Sequence, residues 1–130
     1  MNLLLSYDGR IGRGRFWLGL LLNVVCLFAL SAVVGGVAAL VGSGGPRTGP
    51  ASIKPGDVIV VVLGLAALIT YIWMHFAVLA KRCHDRGKSG WMSLISMIPL
   101  AGPIWMIVDL GIIEGVDEAN QWGPPAVPRR

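Results

Sequence analysis

The fold is decided by residues 58–80, VIVVVLGLAALITYIWMHFAVLA, and by the basic residues that follow them, KRCHDRGK at 81–88. Residues 58–80 contain no Asp, Glu, Lys or Arg, and a helix of this length extends about 35 Å. The hydrocarbon core of a bilayer is about 30 Å thick, so the stretch predicts a membrane-spanning helix. We expect the helix to continue into the basic residues and to stop at Gly87, a favourable C-cap.

Two further apolar stretches, residues 16–41 and 91–113, are also long enough to span. We therefore predict an all-α integral membrane protein with three transmembrane helices. The third is expected to be kinked or broken at Pro99–Pro103, because proline cannot donate a backbone hydrogen bond and clashes with the preceding turn. The predicted parts of this single membrane domain are a head (1–15), a span (16–41), an outer loop (42–57), a span (58–80), a basic cytoplasmic loop (81–90), a span (91–113) and a polar tail (114–130).

The composition and the three predicted spans leave no room for a separate soluble domain, and the charge pattern argues against nucleic-acid binding. Only 14% of the 130 residues are charged, against about 25% in soluble domains. The net charge of +4 comes from basic residues beside the spans, which indicates orientation rather than a nucleic-acid partner. Cys26 and Cys83 are expected at different depths, so no disulfide is predicted. The cations around Cys83 favour a lowered thiol pKa.

The charge pattern also predicts which parts lie in the cytoplasm. The head and the 81–90 loop are both basic and are separated by two spans, so both are expected on the cytoplasmic side. If residues 91–113 cross fully, the acidic tail lies outside. A re-entrant third segment is the alternative, but each arm would reach only about 15 Å, so we favour the crossing.

Polar residues within the spans are functional candidates, because they are costly in a membrane. Asn23, His75 and Ser96 are predicted to share one layer in the cytoplasmic leaflet. The simpler interpretation is that a neutral His75 only joins helices by hydrogen bonds. A full crossing places Asp109 about 20 Å from His75, whereas a re-entrant segment allows the two to pair.

The basic face is the main binding candidate, for anionic lipid headgroups or for an acidic protein partner. Arg15 belongs to this face, and the spacing of Arg82 and Asp85 predicts an i,i+3 ion pair. The alternative is that these charges only orient the chain and cap helices. The candidate contacts are Arg10, Arg13, Arg82, His84, Asp85, Arg86 and Lys88.

No catalytic, cofactor or metal site is predicted. Cys83, His84 and Asp85 are consecutive, so on a helix they point in different directions and do not converge on one ion. No nucleotide-binding motif or positioned nucleophile is present in the sequence. Small residues at Ser31, Gly35 and Ala39 form a stripe on one helix face, which favours packing against a second copy or another membrane helix.

The polar motifs together resemble the bacterial inner-membrane family called domain of unknown function 805. The resemblance covers nearly the whole chain and implies a small inner-membrane protein, with no established activity. Cys83 and Gln121 depart from the usual pattern, which has an aliphatic residue and an arginine at these positions. The segments that carry the resemblance are Gly9-Arg10-Ile11-Gly12-Arg13, Phe16-Trp17, Lys81-Arg82-Cys83-His84-Asp85, Ser89-Gly90-Trp91, Ile98-Pro99, Gly102 and Asn120-Gln121-Trp122-Gly123-Pro124.

These observations predict a non-enzymatic inner-membrane component that binds lipid or protein through a basic cytoplasmic face. The alternative is an oligomeric transporter or channel subunit, assembled around the polar layer at His75. One chain alone has too few helices to enclose a transport path across the membrane.

Overall fold

The computed structural model describes residues 3–42 and 53–127, and these residues are helical apart from turns and one isolated bridge between Asn120 and Gly123. Helix α3 is α-helical over Ala101–Trp105 and π-helical over Met106–Ile112. Most of the predicted outer loop lies outside the described residues. The helices are α1 (Arg13–Leu40), α2 (Pro55–Asp85), a 3₁₀ helix (Gly90–Met97) and α3 (Ala101–Ile112).

By contacts the chain divides into a large unit, Met1–Asn23 with Trp73–Arg130, and a small unit, Val24–Ile72. In the small unit, apolar side chains such as Phe28 and Ile69 are exposed. Both α1 and α2 are long and apolar enough to cross a membrane. The prediction of two long apolar helices is confirmed.

The C-terminus of α2 follows from its local sequence. Gly87 adopts a φ of 69°, which glycine tolerates without strain. The Lys88 amide then donates to the Cys83 carbonyl at 2.9 Å, and the Gly87 amide donates to the His84 carbonyl at 3.1 Å. This pair of bonds is a Schellman cap, so the predicted helix stop at Gly87 is confirmed.

The third apolar stretch does not form a crossing helix. The chain turns at Pro99 and Leu100, where Leu100 has a φ of 65°. A Cβ on Gly102 would overlap the Ser96 carbonyl, so the two arms approach closely at the turn. The 3₁₀ helix has 8 residues, so it extends about 16 Å, and α3 extends about 18 Å. Each arm is about half as long as the hydrocarbon core is thick, so a third transmembrane helix over residues 91–113 is not confirmed.

The predicted break at Pro99–Pro103 is confirmed. It lies at Pro99 and Leu100, before Pro103, and is a reversal of the chain rather than a kink at Pro103. Pro103 is the third residue of α3, in the first helical turn. Amide groups in that turn have no partner within the helix, so proline is tolerated there. Pro103 therefore lies in the start of the returning arm, and the chain reverses before it.

The core of the large unit joins the head, the start of α1, the end of α2 and α3. It contains Ile11, Phe16, Leu79, Cys83 and Leu110, all fully buried. The tail packs onto the same unit, since the Val116 amide donates to the Asp85 carbonyl at 2.8 Å. The tail therefore packs directly against the end of α2, where the basic loop begins.

Candidate functional site

A buried ion-pair cluster lies at the end of α2. The Asp85 carboxylate accepts from Arg82 Nη1 and, at 3.2 Å, from Arg10 Nε. The i,i+3 pair predicted from the sequence is therefore present, and an arginine from the head completes it. Arg82 is 0% exposed, Asp85 3% and Arg10 5%. Charges buried to this extent are tolerated only when they are paired and hydrogen-bonded.

The two arginines also bind backbone carbonyls, Arg82 at the end of α3 and Arg10 in the tail. Arg82 donates from Nε to the Leu110 carbonyl at 2.7 Å and from Nη2 to the Ile113 carbonyl at 2.6 Å. Arg10 donates from Nη1 to the Glu118 carbonyl at 2.8 Å. These guanidinium groups were candidates for headgroup contact, but in the structure both are buried in the interior of the large unit.

A second cluster surrounds Asp109. Lys88 Nζ lies 2.7 Å from both Asp109 carboxylate oxygens, and Arg86 Nη2 lies 3.2 Å from one of them. Arg86 also donates to the Glu114 carbonyl at 2.5 Å. The sequence left open whether Asp109 lies far from His75 or pairs with it, and the structure pairs it with Lys88 and Arg86. This pairing follows from the return of α3 to the basic loop.

Acidic side chains of the head, α2, α3 and the tail balance most of the basic face. The described residues of the large unit carry seven basic and six acidic side chains, an excess of one positive charge. Arg13 and Arg15 remain exposed, and Lys88 is half-buried. The basic side chains are Arg10, Arg13, Arg15, Lys81, Arg82, Arg86 and Lys88, and the acidic ones are Asp8, Asp85, Asp109, Glu114, Asp117 and Glu118.

His84 is held by the head and the tail rather than being free in the loop. Its ring stacks on Trp122 with centroids 4.4 Å apart, and its carbonyl accepts from Asn120 Nδ2 at 2.9 Å. Nδ1 lies 3.3 Å from the Gly9 carbonyl. Burial lowers the pKa of His84 below its usual value, and this outweighs the Gly9 hydrogen bond and the Asp8 charge, which raise it. A carbonyl only accepts, so Nδ1 carries the proton and Nε2 is an acceptor.

Asn23 makes no side-chain hydrogen bond to the other members of the predicted polar layer, His75 and Ser96. Asn23 is 2% exposed, and neither atom of its amide has a hydrogen-bond partner among residues 3–42 and 53–127. Ser96 Oγ donates to the Ser93 carbonyl at 2.6 Å, and the His75 ring lies edge-on to Phe76. A buried amide without partners destabilises the fold.

Asn23→Leu is therefore expected to raise the free energy of unfolding by about 1–3 kcal/mol, because it removes unpaired polar atoms. Thermal unfolding in detergent measures this. Asn120→Leu is the matched control and should destabilise, because Asn120 bonds the His84 carbonyl. Destabilisation by Asn23→Leu would show that the amide has a polar partner in the folded protein.

The small-residue stripe lies in the small unit, with Ser31, Gly35 and Ala39 all exposed. Ser31 and Gly35 border an open groove of about 390 Å³ together with Gly64 and Ala67 of α2. A Cβ on Gly35 would have nothing within 4 Å. Packing of this stripe against another chain stays a prediction.

Cys83 is less reactive than its neighbours in the sequence suggest. Its side chain is fully buried, and burial, with the Asp109 charge, raises its pKa to about 12. The expectation of a lowered pKa is wrong, because burial outweighs the Lys88 and Arg82 charges, which lower the thiol pKa. Within the part of the chain that the structure describes, no three His, Cys, Asp or Glu residues are grouped to hold a metal.

Sequence reasoning missed two glycines that this site requires. A Cβ on Gly115 would overlap the Asp85 carboxylate, and one on Gly111 would lie 2.6 Å from the Trp17 ring. Gly111 lets the end of α3 approach the start of α1, and Gly115 lets the chain after α3 approach the end of α2. Their four-residue spacing was a visible signal, since small residues permit close approach.

The helical fold with apolar side chains facing outward is typical of α-helical membrane proteins. The chain belongs to the family described as protein of unknown function (DUF805), whose model matches residues 4–124. It is 24% identical over 144 residues to the uncharacterized protein YiiR of Escherichia coli strain K12, and the match covers 92% of this chain and 85% of that protein. It is 26% identical over 120 residues to the inner membrane protein YhaH of the same strain, with the same coverage. No solved structure matches the chain.

Proposed function

We propose that the protein is a non-enzymatic component of the bacterial inner membrane that binds anionic lipid headgroups at its cytoplasmic boundary. In this arrangement α1 and α2 cross the bilayer, and the residues of the 3₁₀ helix and α3 enter it from the cytoplasmic side and return. The inner-membrane relative and the basic head and loop support the location and the orientation.

The observation that carries the lipid proposal is the exposed start of α1. Arg13 and Arg15 are exposed in its first turn, and the half-exposed Trp17 follows at the level expected for headgroups. The N-terminus of a helix carries a partial positive charge, and guanidinium groups bind phosphate oxygens. Arg13 pairs with Glu114 at 2.9 Å, but both side chains are about half exposed. Such pairs contribute only about 0–1 kcal/mol, so a phosphate can replace the Glu114 carboxylate.

The double substitution Arg13→Gln with Arg15→Gln is expected to weaken anionic-lipid binding by about 10- to 30-fold. Each cation near a headgroup layer contributes about 1 kcal/mol, and 1.4 kcal/mol is tenfold in affinity. Native mass spectrometry of the detergent-extracted protein measures the retained phosphatidylglycerol.

The matched control is Lys54→Gln, which removes an exposed cation from the small unit and should leave retention unchanged. Unchanged retention in the double variant, or an equal loss in the control, would contradict the proposed headgroup site. The double variant keeps Arg10 and Arg82, so the buried cluster stays intact.

The alternative, an oligomeric transporter or channel subunit, has one observation in its favour, the unpartnered amide of Asn23. It requires polar atoms to reach a path between subunits, whereas Asn23 is buried within a single chain. The lipid-binding proposal does not require Asn23 to become exposed. The mass of the detergent-solubilised protein separates the two, because a strict monomer has too few helices for a path.

A further inference from the structure

A pocket of about 510 Å³ lies in the large unit, beside the end of α2 and the 3₁₀ helix. Half of its lining residues carry aromatic rings, and no charged side chain lines it among the described residues. The lining that matters here is Tyr7, Phe76, His84, Trp91, Ser93 and Trp122.

The pocket has an apolar end and a polar end. Phe76, Ala80 and His84 recur every four residues on one face of α2, so the lining extends about 12 Å along that helix. Phe76 belongs to the apolar part of α2, whereas His84 follows the basic residues at its end. Trp91 is 80% exposed at the rim. This gradient suits an amphiphile whose head lies at His84 and whose tail extends into the bilayer.

The surroundings indicate what kind of head fits. An ammonium group is disfavoured, because no lining side chain among the described residues is an anion. A phosphate is disfavoured as well, because no lining side chain is a cation. His84 Nε2 lies beside Gly90, 3.0 Å from the position of a Cβ there. As an acceptor it requires a hydroxyl or amine donor from the ligand.

We propose that this pocket binds a prenylated quinol, a neutral membrane amphiphile with a planar ring and hydroxyl donors. One ring hydroxyl donates to His84 Nε2, the ring packs against the aromatic walls, and the tail extends past Phe76. The proposal concerns binding alone and involves no electron transfer. It stands independently of the headgroup site at Arg13 and Arg15.

The test is calorimetric titration of a short-chain quinol, kept reduced, into the full-length protein in phosphatidylcholine nanodiscs. Anionic lipid is left out, so failure of the headgroup proposal does not affect the result. We expect saturable binding at one site per chain. Leu94→Trp fills the pocket from its lining and should weaken binding at least tenfold.

Met97→Trp is the matched control, since Met97 is exposed on the same 3₁₀ helix outside the lining. It should bind as the unmodified chain does. Trp91→Ala replaces Leu94→Trp as the pocket variant if the latter fails to fold by thermal unfolding. Absence of saturable binding, equal weakening in the control, or equal binding of a long-chain alcohol would overturn the proposal.

Discussion

Asp85→Asn is expected to lower the free energy of unfolding of the large unit by about 3–5 kcal/mol, the usual effect of removing one partner from a buried ion pair. Arg10 and Arg82 both bind the Asp85 carboxylate away from solvent. An amide leaves two buried cations without a counter-charge. The tail should then detach, because Arg10 binds its Glu118 and Gly123 carbonyls.

The measurement is the rate at which a maleimide labels Cys83 in detergent, with Cys26→Ser introduced to leave one thiol. Cys83 is fully buried in the core, so labelling requires the large unit to open. A loss of 3–5 kcal/mol corresponds to at least about a hundredfold faster labelling. Glu118→Gln removes an exposed acid of the same tail and should change the rate little. An unchanged rate in Asp85→Asn would contradict the structural role of the cluster.

A reporter fused after Arg130 is expected on the same side of the membrane as the 81–90 loop. Asn120 Nδ2 donates to the His84 carbonyl and the Val116 amide to the Asp85 carbonyl, so the tail and the end of α2 form one folded unit. In bacteria, a C-terminal fluorescent protein should fluoresce and a C-terminal alkaline phosphatase should be inactive.

The same reporters fused within residues 42–57 provide the control and should give the opposite result. Active phosphatase after Arg130 together with inactive phosphatase in the 81–90 loop would contradict the hairpin of the 3₁₀ helix and α3. Such a result would restore the kinked full crossing and remove Asp109 from the basic loop.

Parts of the site were predictable because they depend on near neighbours. Arg82 and Asp85 are one turn apart on a helix, so their pairing follows from spacing alone. The contribution of Arg10 did not follow, because 75 residues separate it from Asp85. The same holds for Lys88 and Asp109, which meet only because the intervening chain reverses. From the sequence alone these cations were predicted to form one basic face. In the fold, most of them pair with buried or partly buried carboxylates.

The sequence by itself determined the two long helices, the end of α2 at Gly87 and the break near Pro99. Each follows from local physics: the length of an apolar run, the backbone freedom of glycine and the missing amide of proline. The tertiary structure alone decided whether residues 91–113 continue in one direction or reverse, since a broken apolar stretch of that length is compatible with both. The return depends on close approach at Gly102 and on the Lys88–Asp109 pair, contacts between distant residues that no local pattern specifies.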